Sequence, residues 1–562
     1  MDYKKDFVEI LFSQLQDNLD VQKLENMIEI PKFENQGDLS FPCFELAKIF
    51  KKSPQQIAIE LAKKIKLPKH FQHVEAVSGY VNIFLNKQIA STTVINEILT
   101  KKEYYGEIKN GNKKIITIDF SSPNIAKPFS MGHLRSTVIG NSLALISEKS
   151  GYQVVRINHL GDWGTQFGKL IVAYKLWGEK QKVIENPIKE LLKLYVKFHE
   201  EAEQDEQLND QARHCFKMLE DGNEGALELW NWFKEESLKE FNKIYQLLGI
   251  NFDSFNGEAF YNDKMVQVVQ LLEEKNLLKE SDGAKIVEME GGLPPCLIMK
   301  KDGTTLYATR DLAAAIYRHD TYQFEKSFYV VGNEQSLHFK QIFTVLKKLG
   351  YEWHHGLTHV PFGMMLKDGK KMSTRKGKVV LLEEVLSEAI NLAKENIEEK
   401  NPQLAAKEEV ARQVGTGAVI FHDLKNYRLN DIEFSLEDML RFEGETGPYV
   451  QYTHARASSI LRKGGYEESL DLLTFYDEEA WPIITKLKAF PDVIKRAFEE
   501  SDPSQIAKYV LELSKAFNKY YGNVRILDDL EQKQARLSLV YCVQITLKEG
   551  LRLLGIQAPE EM

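Results

Sequence analysis

The chain has 562 residues, more than one hydrophobic core organises, so three or four domains are expected. Its 43% hydrophobic and 28% charged residues are ordinary for a globular chain; no segment approaches the ~18 apolar residues of a membrane span, and the opening MDYKKDFVEILFSQL is too polar for a secretory leader. A net charge of −9 excludes a chain-wide basic surface, so any contact with nucleic acid must use local patches.

Residues 1–110 read as a small α+β domain. An amphipathic helix opens it, a second lies near 55–66, and SGYVNIFL (78–85) alternates like a strand. Seven lysines between Lys48 and Lys69, Lys51 and Lys52 among them, face one acid, Glu60. YGEIKNGNK (105–113) is polar and turn-rich, a linker. The β-branched run IITIDF (115–120) follows, then the loop SSPNIAKPFSMG (121–132). Leu134, Val138, Ile139, Leu143 and Ile146 recur at helical spacing up to Gly151. A strand at 152–160, a loop GDWGTQFG (161–168) and another helix complete a βαβ unit, which implies a parallel sheet.

The pattern returns as a strand at 328–332, a helix at 336–350 and a strand at 359–366. A helix-rich, acidic insertion spans about 180–300. Two βαβ halves predict a doubly wound α/β domain of the Rossmann type over 111–380, with a nucleotide at the C-terminal ends of its strands. Helical periodicity then continues through a connecting region, 381–444, into an all-helical bundle, 445–562.

Four cysteines, Cys43, Cys215, Cys296 and Cys542, lie far apart without a CxxC. That spacing argues against structural zinc and a disulfide framework and fits a reducing cytoplasm. His354, His355 and His359 form the densest histidine group, yet no cysteine or helical HxxxH accompanies them, so no metal site is expected.

Two loops carry chemistry. The first leads from a buried strand into a helix N-terminus, whose free amides suit a phosphate. Gly132 there permits close approach of a ligand, and His133 can donate a hydrogen bond to a phosphate oxygen as charge develops on it. The second, Lys371-Met372-Ser373-Thr374-Arg375-Lys376-Gly377, is cationic and glycine-flanked, suited to closing over a triphosphate.

A strand–loop–helix ending in Gly-His, paired with a Lys-Met-Ser loop in the other half, resembles the HIGH and KMSKS motifs of class I aminoacyl-tRNA synthetases. SPNIAKPFSMGHLRST (122–137), NHLGDWGTQFG (158–168), DGTTLYATRDLAAA (302–315), EQSLHFKQ (334–341) and GPYVQYTHARASSILRK (447–463) resemble segments of the arginyl-tRNA synthetases. GDLSFPCFELAK and SGYVNIFL look like that family's tRNA-elbow-contacting domain, and LLGIQAP like the end of its anticodon-binding domain. Two positions depart from the pattern: Ser130 stands where the family usually has His, and Thr374 where it usually has Lys.

The resemblance implies ATP, L-arginine and tRNA(Arg) as partners, with Mg²⁺ accompanying ATP, no zinc, a monomer and no membrane. It assigns Ser130, Gly132, His133, Lys371, Met372 and Ser373 to catalysis, and Lys127 with Gly132, His133 and Lys371 to ATP. Arginine would be read by Asp311 and Tyr307, with Glu258 as a second acid for the guanidinium. Asn124 and Gln335 would take its α-amino group, and His159 would line the site. Tyr449, Tyr452 and Arg456, with Lys51 and Lys52, would meet tRNA; aromatic and basic side chains on one helical face suit unpaired bases.

Overall fold

The computed structural model describes every residue except 1, 16–17, 32, 302–305, 368, 372–379, 469–474, 476 and 530. It divides into two compact units, one of Met1–Tyr105, Ile460–Ala489 and Lys515–Ile545, the other of Gly106–Ser459, Phe490–Ser514 and Thr546–Met562.

The first unit contains an antiparallel sheet of β1 (Leu39–Pro42), β2 (Phe71–Val77) and β3 (Tyr80–Leu85), with β3 in the centre. The strand expected at 78–85 starts two residues later. Ser78 and Gly79 both have positive φ, 50° and 88°, and form the β2–β3 turn. The helix expected near 55–66 is Pro54–Lys64, capped by Ser53 through the Gln56 amide; Ile57, Ala58 and Leu61 bury its apolar face. Lys52 is held by Glu60 at 2.7 Å, whereas Lys51 is an exposed C-cap with φ 52°.

The second unit is organised by a parallel sheet of β4 (Ile115–Asp119), β5 (Gln153–Ile157), β9 (Lys326–Val330) and β10 (Leu357–Val360), in the order β10-β9-β4-β5. The expected doubly wound sheet is therefore present. Its order reverses between β4 and β9, which places a crevice beyond Asp119 and Val330, the usual ligand position in such sheets. Helix Met131–Lys149 joins β4 to β5 and buries Leu134, Val138, Ile139, Leu143 and Ile146, the residues that gave its period.

The insertion between β5 and β9 is mainly helical, Lys180–Glu185, Pro187–Ala202, Gln207–Glu220 and Glu224–Leu248. It also holds a small antiparallel sheet, β6 (Leu278–Ser281), β7 (Ala284–Val287) and β8 (Cys296–Met299), that periodicity did not reveal. The strand expected at 359–366 is two strands. Pro361 lacks an N–H and interrupts it after β10; the chain resumes as β11 (Met365–Lys367), between β12 (Lys370–Lys371) and β13 (Ile432–Glu433). Helices Gly447–Gly464, Trp481–Glu499, Ser504–Asn523 and Lys533–Leu553 make up the C-terminal part of the chain, as expected of an all-helical segment.

Candidate active site

The loop after β4 is strained and firmly held. Ser121, Ser122 and Ala126 have φ of 70°, 45° and 58°, each a left-handed conformation that costs a non-glycine residue of order 1–3 kcal/mol. The surroundings impose it. Ser136 Oγ accepts from the Ser121 amide at 2.9 Å, Ser237 Oγ from the Ala126 amide at 3.0 Å, and Ser122 Oγ donates to Asp119 Oδ1 at 2.9 Å. The other oxygen of Asp119 lies 2.7 Å from Arg318 Nη2, a fully buried arginine.

This loop ends at Ser130, the N-cap of helix Met131–Lys149. The Ser130 amide donates to His133 Nδ1 at 3.1 Å, with Ser130 Oγ 3.2 Å from the same nitrogen. Because an amide can only donate, Nδ1 is the acceptor, and the imidazole proton sits on Nε2. Burial lowers the His133 pKa to about 4, so the ring is a neutral Nε2–H donor at ordinary pH. Phe129 stacks on it, centroids 5.2 Å apart. Gly132 is exposed, and a Cβ there would come no closer than 3.5 Å to Ser130 Oγ. The fold's own packing does not demand glycine here; a closely approaching ligand would. Lys127 is half-buried in the same loop.

The second motif returns to the first. The Met131 amide donates to Val380 O at 3.1 Å and the Leu382 amide to Phe129 O at 3.0 Å. The residues just after the Lys-Met-Ser loop are thus hydrogen-bonded to the residues around His133. Lys371 opposes Leu366 in the β11–β12 ladder; Met372, Ser373 and Thr374 lie outside the described residues.

The loop after β5 joins them from the other side. Gly161 and Asn124 form a bridge, with Ile125 N to Gly161 O at 3.2 Å and Gly161 N to Pro123 O at 3.1 Å. A Cβ at Gly161 would fall 2.1 Å from Asn124 Oδ1, so glycine is what lets Asn124 sit there. The His159 amide donates to Ser122 Oγ at 3.1 Å, and burial depresses the imidazole's pKa. The Glu258 amide donates to Leu160 O at 2.9 Å, which brings the insertion's acid to this loop. Burial raises the Glu258 carboxyl to about 7, against the opposing pull of Arg310, whose Nη1 is 3.4 Å away.

Tyr307 opens helix Tyr307–Tyr322, and Asp311 lies one turn on. Tyr307 is 65% exposed, with the Arg310 guanidinium 5.9 Å from its ring centroid. Gln335 is exposed in the turn Asn333–Gln335 that starts helix Ser336–Leu349. That helix supplies a residue that was given no role although it lies in the EQSLHFKQ segment: His338 Nε2 is 2.5 Å from Asp311 Oδ2. Burial pushes the Asp311 carboxyl upward, but His338, His159 and Arg318 outweigh it and hold the pKa below the usual value.

On helix Gly447–Gly464, Tyr452 is exposed and Tyr449 half-buried, and the Arg456 guanidinium lies 4.9 Å from the Tyr452 ring centroid. His454, two residues along, is buried with Nδ1 2.9 Å from Pro559 O, a core position. His359 lies 2.9 Å from Val331 O and His354 2.8 Å from Tyr351 O, ordinary backbone contacts.

Residues 94–436 match the family model described as tRNA synthetases class I (R), catalytic domain; residues 5–85 match the arginyl tRNA synthetase N terminal domain and 450–562 the DALR anticodon binding domain. A parallel sheet with a Gly-His helix N-terminus at its switch point is here the catalytic domain of a class I aminoacyl-tRNA synthetase. The chain is 61% identical to an arginine–tRNA ligase of Bacillus anthracis and 58% identical to one of Enterococcus faecalis, over 100% of both sequences in each case. It is also similar to the solved arginyl-tRNA synthetase of Thermus thermophilus, with TM-score 0.85 and 27% identity over 100% of both chains. That of Plasmodium falciparum gives 0.81 and 26%, covering 99% of this chain and 98% of the other. The chain belongs to the arginyl-tRNA synthetase family.

Proposed function

We propose that the chain activates L-arginine with ATP and transfers it to the 3′-terminal ribose of tRNA(Arg). The observation that carries this is a pair of acids at the 158–161 loop, Glu258 bonded to it through its amide and Asp311 interacting with the charge of His159, with that loop in turn bonded to the strained loop that ends at Ser130. A guanidinium stays charged and presents a planar fork of donors, which only acids answer well in a partly buried site.

In the first step an oxygen of the arginine carboxylate attacks the α-phosphorus of ATP. The bond to the bridging oxygen breaks, and pyrophosphate leaves. No protein nucleophile takes part; catalysis is positioning and charge stabilisation. Asp311, Tyr307 and Glu258 hold the guanidinium, Asn124 and Gln335 the α-amino group, and His159 lines the pocket. His133 donates Nε2–H to a phosphate oxygen, Gly132 lets the phosphates approach the helix amides, and Lys127, Lys371, Met372 and Ser373 complete the triphosphate contacts.

In the second step the terminal ribose hydroxyl of tRNA attacks the carbonyl carbon of arginyl-adenylate, and AMP leaves. Among the described residues no three His, Cys, Asp or Glu side chains are grouped to hold a metal. Mg²⁺ is assigned to the phosphates of ATP, whose charge it neutralises.

Residues 1–110, Lys51 and Lys52 included, are assigned to the tRNA elbow, 381–444 to the stem, and 445–562, with Tyr449, Tyr452 and Arg456, to the anticodon arm. No helix among the described residues is long and apolar enough to cross a membrane; a monomer working in the cytoplasm is proposed. Calorimetric titration with arginine and citrulline, an uncharged isostere, tests the central assignment. Arginine should bind and citrulline should not; equal binding of the two would remove the acids from recognition.

A further inference from the structure

Asp311 and His338 come from different helices, 27 residues apart in the chain, and meet side chain to side chain. Their side chains are 30% and 24% exposed, so the pair is reachable from solvent and is not core packing. Other residues of the two helices, Leu312, Ala314 and Ala315 on one and Phe339, Ile342 and Leu346 on the other, are buried in a shared hydrophobic core.

We infer that His338 is a positioning residue for arginine recognition: it binds Asp311 Oδ2 and so fixes the carboxylate with Oδ1 turned to the substrate guanidinium. The inference rests on the proposed assignment of Asp311 to the guanidinium. An aspartate carboxylate rotates broadly about its terminal torsion. A planar guanidinium rewards only one orientation of it, and fixing that orientation beforehand removes an ordering cost from binding.

His338 also stands one helical turn from Gln335. Residues three apart on a helix are about 5–6 Å apart at Cβ, comparable with an extended arginine side chain. The start of helix Ser336–Leu349 would thus serve both ends of the substrate, the α-amino group through Gln335 and the guanidinium through His338 and Asp311. Other charged or titratable groups facing the pair are His159 from the loop after β5, Arg318 from the same helix as Asp311, Glu258 from the insertion and His359 from β10.

The test is a double-mutant cycle on the full-length protein, with KM for arginine and for ATP measured in tRNA charging and folding checked by circular dichroism. D311A should raise the arginine KM at least about thirtyfold, the loss of a charge-assisted contact. H338A should raise it about tenfold, as expected for one hydrogen bond to a charged group, with the ATP KM moved less than about twofold. H338Q, whose amide N–H can reach toward Oδ2, should recover most of the loss. In the D311A background H338A should add nothing, because His338 acts only through Asp311. Additive losses, or equal rises in both KM values, would overturn the role of His338. An unchanged arginine KM in D311A would instead overturn the assignment of Asp311, and the inference with it.

Discussion

Replacing His133 with alanine should cut arginine activation by two to three orders of magnitude without unfolding the protein. The Ser130 amide occupies Nδ1 at 3.1 Å, so Nε2 always carries the proton and is the donor available to a phosphate oxygen. Losing one such preorganised donor costs about 3–4 kcal/mol of transition-state stabilisation, a factor of roughly 10²–10³. With a pKa near 4, the ring is neutral across the assay range, so His133 should add no acid limb to the rate profile near neutrality. The tautomer is set by a backbone amide, so Ser130→Ala, which removes only Oγ, should stay within about threefold of the parent, the smaller effect expected for a neutral hydrogen bond. The assay is arginine-dependent ATP–pyrophosphate exchange with tRNA present, and the thermal midpoint reports folding. A rate for His133→Ala within threefold of the parent would refute the phosphate role.

Three further perturbations follow from the same geometry. Burial raises the Glu258 carboxyl to about 7; if it holds arginine as the carboxylate, as proposed, the arginine KM should rise as pH falls through that value, approaching tenfold per unit, while Glu258→Gln should be weak and pH-independent. A parent KM that is flat between about pH 6 and 8 would rule this out. Gly161→Ala places a Cβ 2.1 Å from Asn124 Oδ1; displaced, Asn124 should cost about tenfold in arginine KM, and an unchanged KM would take Asn124 out of the site. Asp423→Ala leaves Arg135, fully buried and otherwise bound to the Asn430 and Arg428 carbonyls, without its carboxylate. Denaturant unfolding should show a loss of about 3–5 kcal/mol, and a loss under about 1 kcal/mol would mean the site has filled with water.

The parts of the fold legible in the sequence are those whose signal is local. Ile115–Asp119, its loop and helix Met131–Lys149 form one continuous stretch, and the buried positions of that helix repeat with its own period. The β6–β7 hairpin was missed because strands of four residues carry almost no period. Its signal was chemical: Asp282-Gly283 is a turn dipeptide, and both residues have positive φ, 51° and 82°. The break after β10 shows the converse, an apolar run that reads as one strand until Pro361 withholds its N–H.

Contacts between distant positions were beyond reach. His338 sits in SLHFKQIF, an ordinary amphipathic helix, and only the fold brings it to Asp311. Arg318, in the helical run LAAAIYRHD, gives no sign that Asp119 awaits it. His454 lies among aromatics and bases that read as an RNA-facing surface, but helical phase turns it inward to Pro559. Ser130 reads as a replacement for the usual His whose hydroxyl can still donate, and the sequence does not show that its amide fixes the tautomer of the histidine that remains.

The most direct test of the account is charging of tRNA by the full-length protein with each of the twenty amino acids in turn. The account predicts attachment of arginine to tRNA(Arg) alone, dependent on ATP and shifted to much higher arginine concentrations in Asp311→Ala. Attachment of another amino acid, or tRNA binding without any charging, would contradict it.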